Sequence, residues 1–455
     1  MRLRWPRARA AALAAALAGL FAASAVRAGP VTLDAKTMRS LAFAAEEAGA
    51  LDAASAYAEA LLTRDPADVA ARIVASRVAR ARADYPAARM HARLAWAAST
   101  TPRDRYASAL ARAQALASGG QRTAAMFWLR RAATDAPTPA ARAIAASDFA
   151  YVRMRNPLSV ELTFAAAPSS NVNNGSRFDT ITLFGTPFTL SPAARALAGG
   201  TASVGATLGY RLAESAQSRT DLRAAGLIRQ VWITDPAGAG VDAADFAYAM
   251  AEIGLTHRRR PGAGPLQLTF GATAGRNWYG GAPLTDYLRL EAGLDRPIAG
   301  GRHLILGLGG ERQWRQDNPI RDAEVLSLRA GVVQRLASGD RLRLDLTARS
   351  TASRSAEVSH GALALRASWD RAAPVMGVRV SMGLGAEGRD YGPVPLAPGG
   401  RRDLRLDAEL SLVFERLDYL GFAPVLDLRA VRSGSTVPLY DGFDLGVSLG
   451  FRSVF

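Results

Sequence analysis

The chain has 455 residues, no cysteine and a formal net charge of +16 at pH 7. The lack of cysteine excludes disulfides, thiolate zinc sites, iron–sulfur clusters and cysteine nucleophiles. The positive charge is almost entirely arginine, spread along the chain without interleaved stacking aromatics, so the composition does not favour nucleic acid as a partner.

Residues 1–28 have the pattern of a secretory signal peptide. Arginines at positions 2, 4, 7 and 9 precede the apolar run 10–23, and Val26 and Ala28 supply the small residues that signal peptidase requires. No later stretch offers about 18 consecutive apolar residues, so no transmembrane helix is predicted. We therefore expect an exported protein that begins near Gly29.

Residues 29–155 are predicted to form a periplasmic domain of tetratricopeptide-like helical repeats. Small residues and helix-stopping prolines recur in an alanine-rich region at intervals close to the tetratricopeptide period. The small residues are Ala54, Ala88 and Ala125, and the prolines are Pro66, Pro102 and Pro137. Stacked repeats of this kind expose a groove for peptides or partner surfaces. A plain alanine-rich helical bundle is the alternative.

From residue 156 to 455 the apolar period changes to two. In "RLRLDLTAR", Leu342, Leu344 and Leu346 share one face, while the polar residues share the other. About fourteen such segments, separated alternately by short and long connections, predict an antiparallel outer-membrane β-barrel of about 14 strands. The predicted fold class is therefore α + β, with a helical solenoid before the barrel. A soluble β-sandwich is the competing interpretation.

Two groups of side chains follow from the barrel prediction. Aromatic residues near strand ends suggest a membrane-interface girdle; they are Trp278, Tyr279, Tyr287, Trp314, Trp369, Tyr391 and Tyr419. Charged residues on the inner face are expected to form a stiffening ion-pair network, or to guide a substrate; they include Arg343, Asp345, Arg405, Asp407 and Glu409.

Two sequence matches to enzyme motifs lack the required context. The segment 446–450 reads G-x-S-x-G, but Ser448 falls in mid-strand with no downstream histidine. The segment 383–388 reads G-x-G-x-x-G without a following helix. The four histidines show no paired spacing. We therefore expect no catalytic site, metal or cofactor.

The segment "FDLGVSLGFRSVF" is predicted to be the closing strand of the barrel and the signal read by the barrel-insertion machinery. Its apolar face comprises Phe443, Leu445, Val447, Leu449, Phe451 and Phe455. Asp444, Ser448 and Arg452 are expected to face the lumen.

Three segments of the barrel region resemble the surface lipoprotein assembly modulator family, known as Slam. The first, "P-x-x-N-x-N", comprises Pro168, Asn171 and Asn173. The second, "P-F-x-L-S-x-x-A", comprises Pro187, Phe188, Leu190, Ser191 and Ala194. The third, "Y-x-G-F-x-P", comprises Tyr419, Gly421, Phe422 and Pro424. The resemblance implies a factor that carries a lipoprotein or a small secreted protein, in some members haem- or host-binding, across the outer membrane.

Barrel width and the first strand suggest a route for such a client. A barrel of about 14 strands is too narrow for a folded domain. A client must therefore pass unfolded or slip between the first and last strands, where Pro168 cannot donate a ladder hydrogen bond. A monomeric barrel in contact with outer-membrane lipid is expected. A polysaccharide exporter, a porin-like channel and a barrel that only anchors a periplasmic scaffold are the alternatives.

Overall fold

The computed structural model describes residues 33–183, 186–235, 237, 240–393 and 397–453. The predicted signal peptide, residues 1–28, and Phe455 lie outside the described residues.

Seven α-helices precede the strands within the described residues. Five of them begin at an Asp or Thr whose side chain accepts a backbone N–H of the first turn, which satisfies a donor that the helix itself leaves unpaired. The helices are α1 (Ala35–Glu47), α2 (Leu51–Arg64), α3 (Val69–Ala81), α4 (Tyr85–Ala98), α5 (Pro102–Ser118), α6 (Arg122–Thr134) and α7 (Pro139–Arg155).

The first five helices belong to one compact unit, which ends at Gly119. Ala54 and Ala88 hold the fourth position of α2 and α4, and neither side chain has exposed surface. Such small residues let neighbouring helices approach closely. Pro66 lies in the α2–α3 connection, whereas Pro102 is the first residue of α5, where a missing N–H costs nothing. The tetratricopeptide assignment stays a prediction.

The last two helices belong with the strands to the second compact unit, Gly120–Phe455. Ala125, the fourth residue of α6, is fully buried, as are Leu129 and Phe149 to within 2%. Pro137 lies in the connection between α6 and α7. The helical part of the chain ends at Arg155, but its last two helices pack as part of the barrel unit.

Fourteen strands form a closed antiparallel barrel, in which each strand pairs with its neighbours in the chain and the first pairs with the last. The strands are β1 (Leu158–Ser169), β4 (Gly199–Glu214), β5 (Ser218–Ile233), β6 (Tyr248–Arg259), β7 (Gln267–Tyr279), β8 (Ala282–Ile298), β9 (Arg302–Arg315), β10 (Ala323–Arg335), β11 (Arg341–Ser353), β12 (His360–Asp370), β13 (Val378–Tyr391), β14 (Arg401–Phe414), β15 (Phe422–Ser435) and β16 (Gly442–Ser453). A small hairpin, β2 (Thr180–Leu183) and β3 (Thr186–Thr189), lies in the β1–β4 loop. The predicted fold class of helices followed by a barrel is confirmed.

The barrel has an apolar outside and a polar inside. Its outward side chains include Leu162, Leu208, Ile253, Leu290, Leu328, Leu365, Leu384, Leu406 and Leu449, each between 47% and 63% exposed. The period-two pattern produces this division, because successive side chains of a strand point to opposite faces. None of the described helices is long and apolar enough to span a bilayer.

Two of the predicted girdle aromatics face the interior instead. Tyr287 is 8% exposed and donates a hydrogen bond of 2.8 Å to Glu252, and Tyr391 stacks on His360 with ring centroids 4.7 Å apart. Their strand parity places them inside, although both lie near strand ends. The girdle prediction is wrong for these two residues, whereas Trp314 is 40% exposed on the outer face.

Candidate functional site

The junction between β1 and β16, here called the seam, is the most weakly paired part of the barrel. Along its other edge β1 pairs with β4 over its whole length, Leu158–Ser169. Toward β16, the ladder among the described residues contains only three pairs: Ala165 with Gly450, Ala166 with Leu449, and Ser169 with Gly446. Every other neighbouring pair of barrel strands is matched over at least eleven positions.

The seam has an interruption and an unpaired end. Ala167 and Pro168 are skipped, which fits the missing N–H of proline. The stretch 158–164 forms no ladder with β16 among the described residues. Within the paired part, the register sets Ala165 against Gly450.

The seam has a helix end, where α7 enters β1, and an opposite loop end. At the loop end the family-motif residue Asn173 orders the β1–β4 loop. Its Nδ2 donates to the carbonyls of Ala193 (2.9 Å) and Arg195 (2.6 Å), and its Oδ1 accepts from the N–H of Leu197 (2.9 Å). Asn171 likewise exchanges two hydrogen bonds with the backbone of Gly175. Both asparagines therefore fix loop shape.

This loop is fastened across the seam to the β15–β16 loop. Ser176 Oγ donates to the carbonyl of Pro438 at 2.8 Å, and Arg177 forms an ion pair of 2.6 Å with Asp441. Hydrogen bonds from Arg432 hold the pKa of Asp441 below its usual value, and the charge of Arg177 adds to this effect. The loop end of the seam is therefore closed by side chains and loops as well as by the ladder.

A chamber of about 380 Å³ lies inside the barrel at the loop end of the seam. Its lining brings the family-motif residues Pro168 and Asn171 together with the inner face of the closing strand, including Asp444 and Ser448. Arg405 also lines it, and forms no ion pair with another described residue. Ser448 is thus one polar wall residue of this chamber.

At the helix end, Arg130 of α6 contacts the turn before β15 and the last residue of β16. Its Nη1 donates to the carbonyls of Leu420 (3.1 Å) and Gly421 (3.0 Å), and its Nη2 donates to Ser453 Oγ at 2.7 Å. The guanidinium lies between the rings of Phe149 and Phe422, 4.7 and 4.5 Å from their centroids. Burial, followed by the charge of Arg153, lowers the pKa of Arg130 to about 10, so it stays charged at neutral pH.

The docking point of Arg130 is the third motif segment. Leu420 and Gly421 both have positive φ, of 50° and 72°, and Tyr419 and Phe422 exchange their backbone hydrogen bonds around them. This is the geometry of a two-residue hairpin turn, in which glycine carries the left-handed conformation without steric cost. The turn presents two carbonyls side by side to one guanidinium.

Two further contacts complete the attachment of the α6–α7 hairpin to the barrel. Arg142 pairs with Asp418 at 2.6 Å, on the β15 side of the seam. Arg211 of β4 donates to the carbonyl of Met154 at 3.0 Å, on the β1 side. The hairpin therefore bridges both sides of the seam where the β1–β16 ladder is missing. No sequence signal marked these residues, since isolated arginines recur throughout the chain.

The remaining motif positions lie elsewhere. Pro187 and Phe188 lie on β3, with Phe188 opposite the buried Ile181. Leu190 donates its N–H to the carbonyl of Asp179, and Ser191 precedes a short 3₁₀ turn without a side-chain capping hydrogen bond. Pro424 lies on β15 opposite Phe451. The β2–β3 positions are not part of the seam chamber.

The closing strand alternates as expected within the described residues. Phe443, Leu445, Leu449 and Phe451 are each 45% to 63% exposed on the outer face, and Val447 shares their parity. Their contact with lipid and their role as an assembly signal stay predictions.

The lumen holds the expected ion pairs on the β10–β14 side. Asp345 pairs with Arg343 at 2.6 Å and with Arg329 at 2.8 Å. Arg366 bridges Asp407 and Glu409, each at 2.8 Å. Gly385, the second glycine of the G-x-G-x-x-G segment, makes room for this network, because a methyl group there would overlap the carboxylate of Asp407.

A cavity of about 850 Å³ occupies the lumen beside β7–β12. Its wall carries both signs of charge, including Arg289, Glu291, Asp295 and Arg349. A hydrophilic solute therefore meets polar side chains along this part of the interior.

No protein-family model matches the sequence, and no curated protein matches it. Solved structures similar to the chain include the outer membrane channel DcaP of Acinetobacter baumannii, at 11% identity and a TM-score of 0.37, covering 65% of this chain and 97% of that one. A BenF-like porin from Pseudomonas fluorescens Pf-5 is similar at 9% identity and a TM-score of 0.36, over 65% and 98% of the two chains. An anion-selective porin from Comamonas acidovorans is similar at 11% identity and a TM-score of 0.35, over 66% and 100%. At these values the similarity says nothing about substrate or mechanism.

Proposed function

We propose that this chain is an outer-membrane protein that delivers a specific lipoprotein or small secreted protein to the cell surface, with its helices in the periplasm. The observation that carries this proposal is the seam, whose ladder is reduced to three residue pairs in an otherwise fully paired barrel. The resemblance of the residues around the seam to segments of the Slam family also supports delivery across the outer membrane.

The membrane location rests on the outer surface of the barrel. Leucines, isoleucines and phenylalanines around 40–60% exposed would be unfavourable in water over so wide an area, but are suited to hydrocarbon. The helix-end turns span at most seven residues, whereas the loop end includes the connection from 170 to 198. Short turns face the periplasm in bacterial barrels, and this asymmetry supports a periplasmic position for the helices.

A weak seam suits a lateral route. Unpaired backbone groups inside a bilayer cost several kcal/mol each, so a strand edge can stay open only where something else covers it. Here the α6–α7 hairpin, through Arg130 and Arg142, holds the helix end where the ladder is absent. Release of that hairpin would expose the edge of β1 to an extended client segment, which could pair with it as an added strand.

A porin-like channel is the second candidate function. The lumenal cavity of about 850 Å³, with its charged wall, favours it, because a solute channel needs a hydrated polar passage and no seam opening. The two functions differ in what would be lost without the protein: a surface protein in one case, uptake of a small solute in the other.

The test is deletion of the gene, followed by protease shaving of intact cells and quantitative mass spectrometry of the released peptides. The proposal predicts that one or a few surface proteins disappear from the shaved fraction while remaining in the cell. Reintroduction of the chain should restore them. An unchanged shaved fraction, together with slower uptake of small solutes, would refute delivery and favour the channel.

A further inference from the structure

The α4–α5 pair carries a groove that none of the contacts described above uses. It has a volume of about 330 Å³ and is lined by Pro86, Arg89, Met90, Arg93, Arg112 and Leu116. The α4 residues recur at three- and four-residue spacing, which places them on one face of that helix. The α5 residues are four apart and form the facing wall. We call this feature the basic groove.

The basic groove concentrates positive charge. The described residues that line the basic groove include no aspartate or glutamate. Neither Arg89 nor Arg93 forms an ion pair with another described residue. Burial and the charge of Arg93 lower the pKa of Arg112. Like charges held together in this way are relieved by an anionic ligand.

The floor of the groove is apolar. Leu116 is 8% exposed and Met90 is 43% exposed beside the arginines. Methionine adapts to partners of different shape, so it suits a surface that receives varied side chains. Arg89 lies over the end of α5, since a methyl group added at Gly119 would be 2.7 Å from its Nη1.

We propose that the basic groove is a docking site for an acidic segment of a partner protein, in which carboxylates alternate with apolar side chains. Charge complementarity selects this occupant: the carboxylates would meet Arg89 and Arg93, and an apolar side chain would contact Met90 and Leu116. The inference deepens the proposed function and rests on it for the role of the partner as the delivered protein. The chain's own residues 1–28 are basic and would be repelled.

The test uses the full chain, purified in neutral detergent, and a fluorescein-labelled peptide that alternates glutamate with leucine. Fluorescence anisotropy measures binding to the unmodified chain, to Arg89→Ala, to Arg93→Ala and to the double variant. Arg103→Ala is the matched control, because Arg103 is exposed on α5 outside the groove and its loss changes net charge equally. A peptide that alternates lysine with leucine tests the sign of charge.

We expect each groove substitution to weaken binding of the acidic peptide about fivefold, and the double variant about 25-fold, with further weakening as salt rises. Arg103→Ala should bind within about twofold of the unmodified chain, and the lysine peptide should not bind. Equal weakening by Arg103→Ala would reduce the effect to net charge and overturn the proposal. So would preferential binding of the chain to phosphatidylglycerol vesicles that is lost with the same arginines.

Binding and delivery can fail separately. If the groove variants lose the peptide but no surface protein depends on the chain, the groove stands and the delivery proposal falls. If surface proteins depend on the chain but the unmodified protein does not bind the acidic peptide, the groove proposal falls alone.

Discussion

Removal of the Arg130 side chain is the sharpest perturbation of the helix end of the seam. This one guanidinium donates to two backbone carbonyls and a hydroxyl, and lies between two aromatic rings. Hydrogen bonds from a charged donor contribute about 1.5–3 kcal/mol each, and a cation–π contact contributes about 0.5–2 kcal/mol. These contributions share one group and are offset by its desolvation. We therefore expect Arg130→Ala to cost about 3 kcal/mol locally.

The assay is hydrogen exchange of the full chain, read at the amides of Tyr419 and Phe422, which pair with each other in the docked turn. A loss of about 3 kcal/mol should speed their exchange about a hundredfold if the turn opens locally. Arg130→Lys keeps the charge but not the planar fork, so its effect should be intermediate. Arg122→Ala is the control, because Arg122 lies on the same helix and makes no side-chain hydrogen bond with another described residue.

Unchanged exchange at both amides in Arg130→Ala would refute the attachment of α6 to the turn. Faster hydrogen exchange throughout the barrel would also contradict the reasoning, because the expected effect is confined to the helix end of the seam.

The remaining predictions concern the loop end and the lumen. Asn173→Ala removes three backbone hydrogen bonds and should make the β1–β4 loop cleavable by protease in intact cells, at an expected cost of about 2–4 kcal/mol; an equally resistant loop would contradict its role. Gly385→Ala should lower the thermal stability of the folded barrel by pushing against Asp407, whereas Gly388→Ala, which faces open space, should not; equal melting behaviour in the two would count against the packing argument. The lowered pKa of Asp441 means that its ion pairs contribute stability above about pH 3.8 and lose it as pH falls through the lowered value. Protease resistance of the two loops should therefore persist at about pH 5, and a loss already near neutrality would argue against this interaction.

The strands could be predicted from the sequence because an apolar outside and a polar inside require apolar and polar residues to alternate along each strand. In "RLRLDLTAR" the alternation alone predicts a strand and its two faces, and the segment lies within β11. The girdle prediction for Tyr287 and Tyr391 rested on nearness to a strand end, which does not decide which face a side chain occupies, whereas their parity in the strand does.

The seam contacts could be predicted only in part. Pro168 indicated a break in the ladder, because the missing donor is a property of the residue itself. The roles of Arg130 and Arg177 depend on carbonyls and carboxylates hundreds of residues away, and a single arginine carries no local mark of such a partner. Asn171 and Asn173 were noticed through family resemblance, but their loop-ordering hydrogen bonds required the structure.

The central claim, that a client leaves through the seam, is tested most directly by locking it. Because the chain has no cysteine, Ala166→Cys with Leu449→Cys places one unique disulfide across opposed residues of β1 and β16. The matched control, Ala166→Cys with Ala202→Cys, joins β1 to its fully paired neighbour β4. The account predicts that oxidation stops surface delivery in the first variant, that reduction restores it, and that the control delivers normally in both states. Full delivery with the β1–β16 disulfide formed would contradict it.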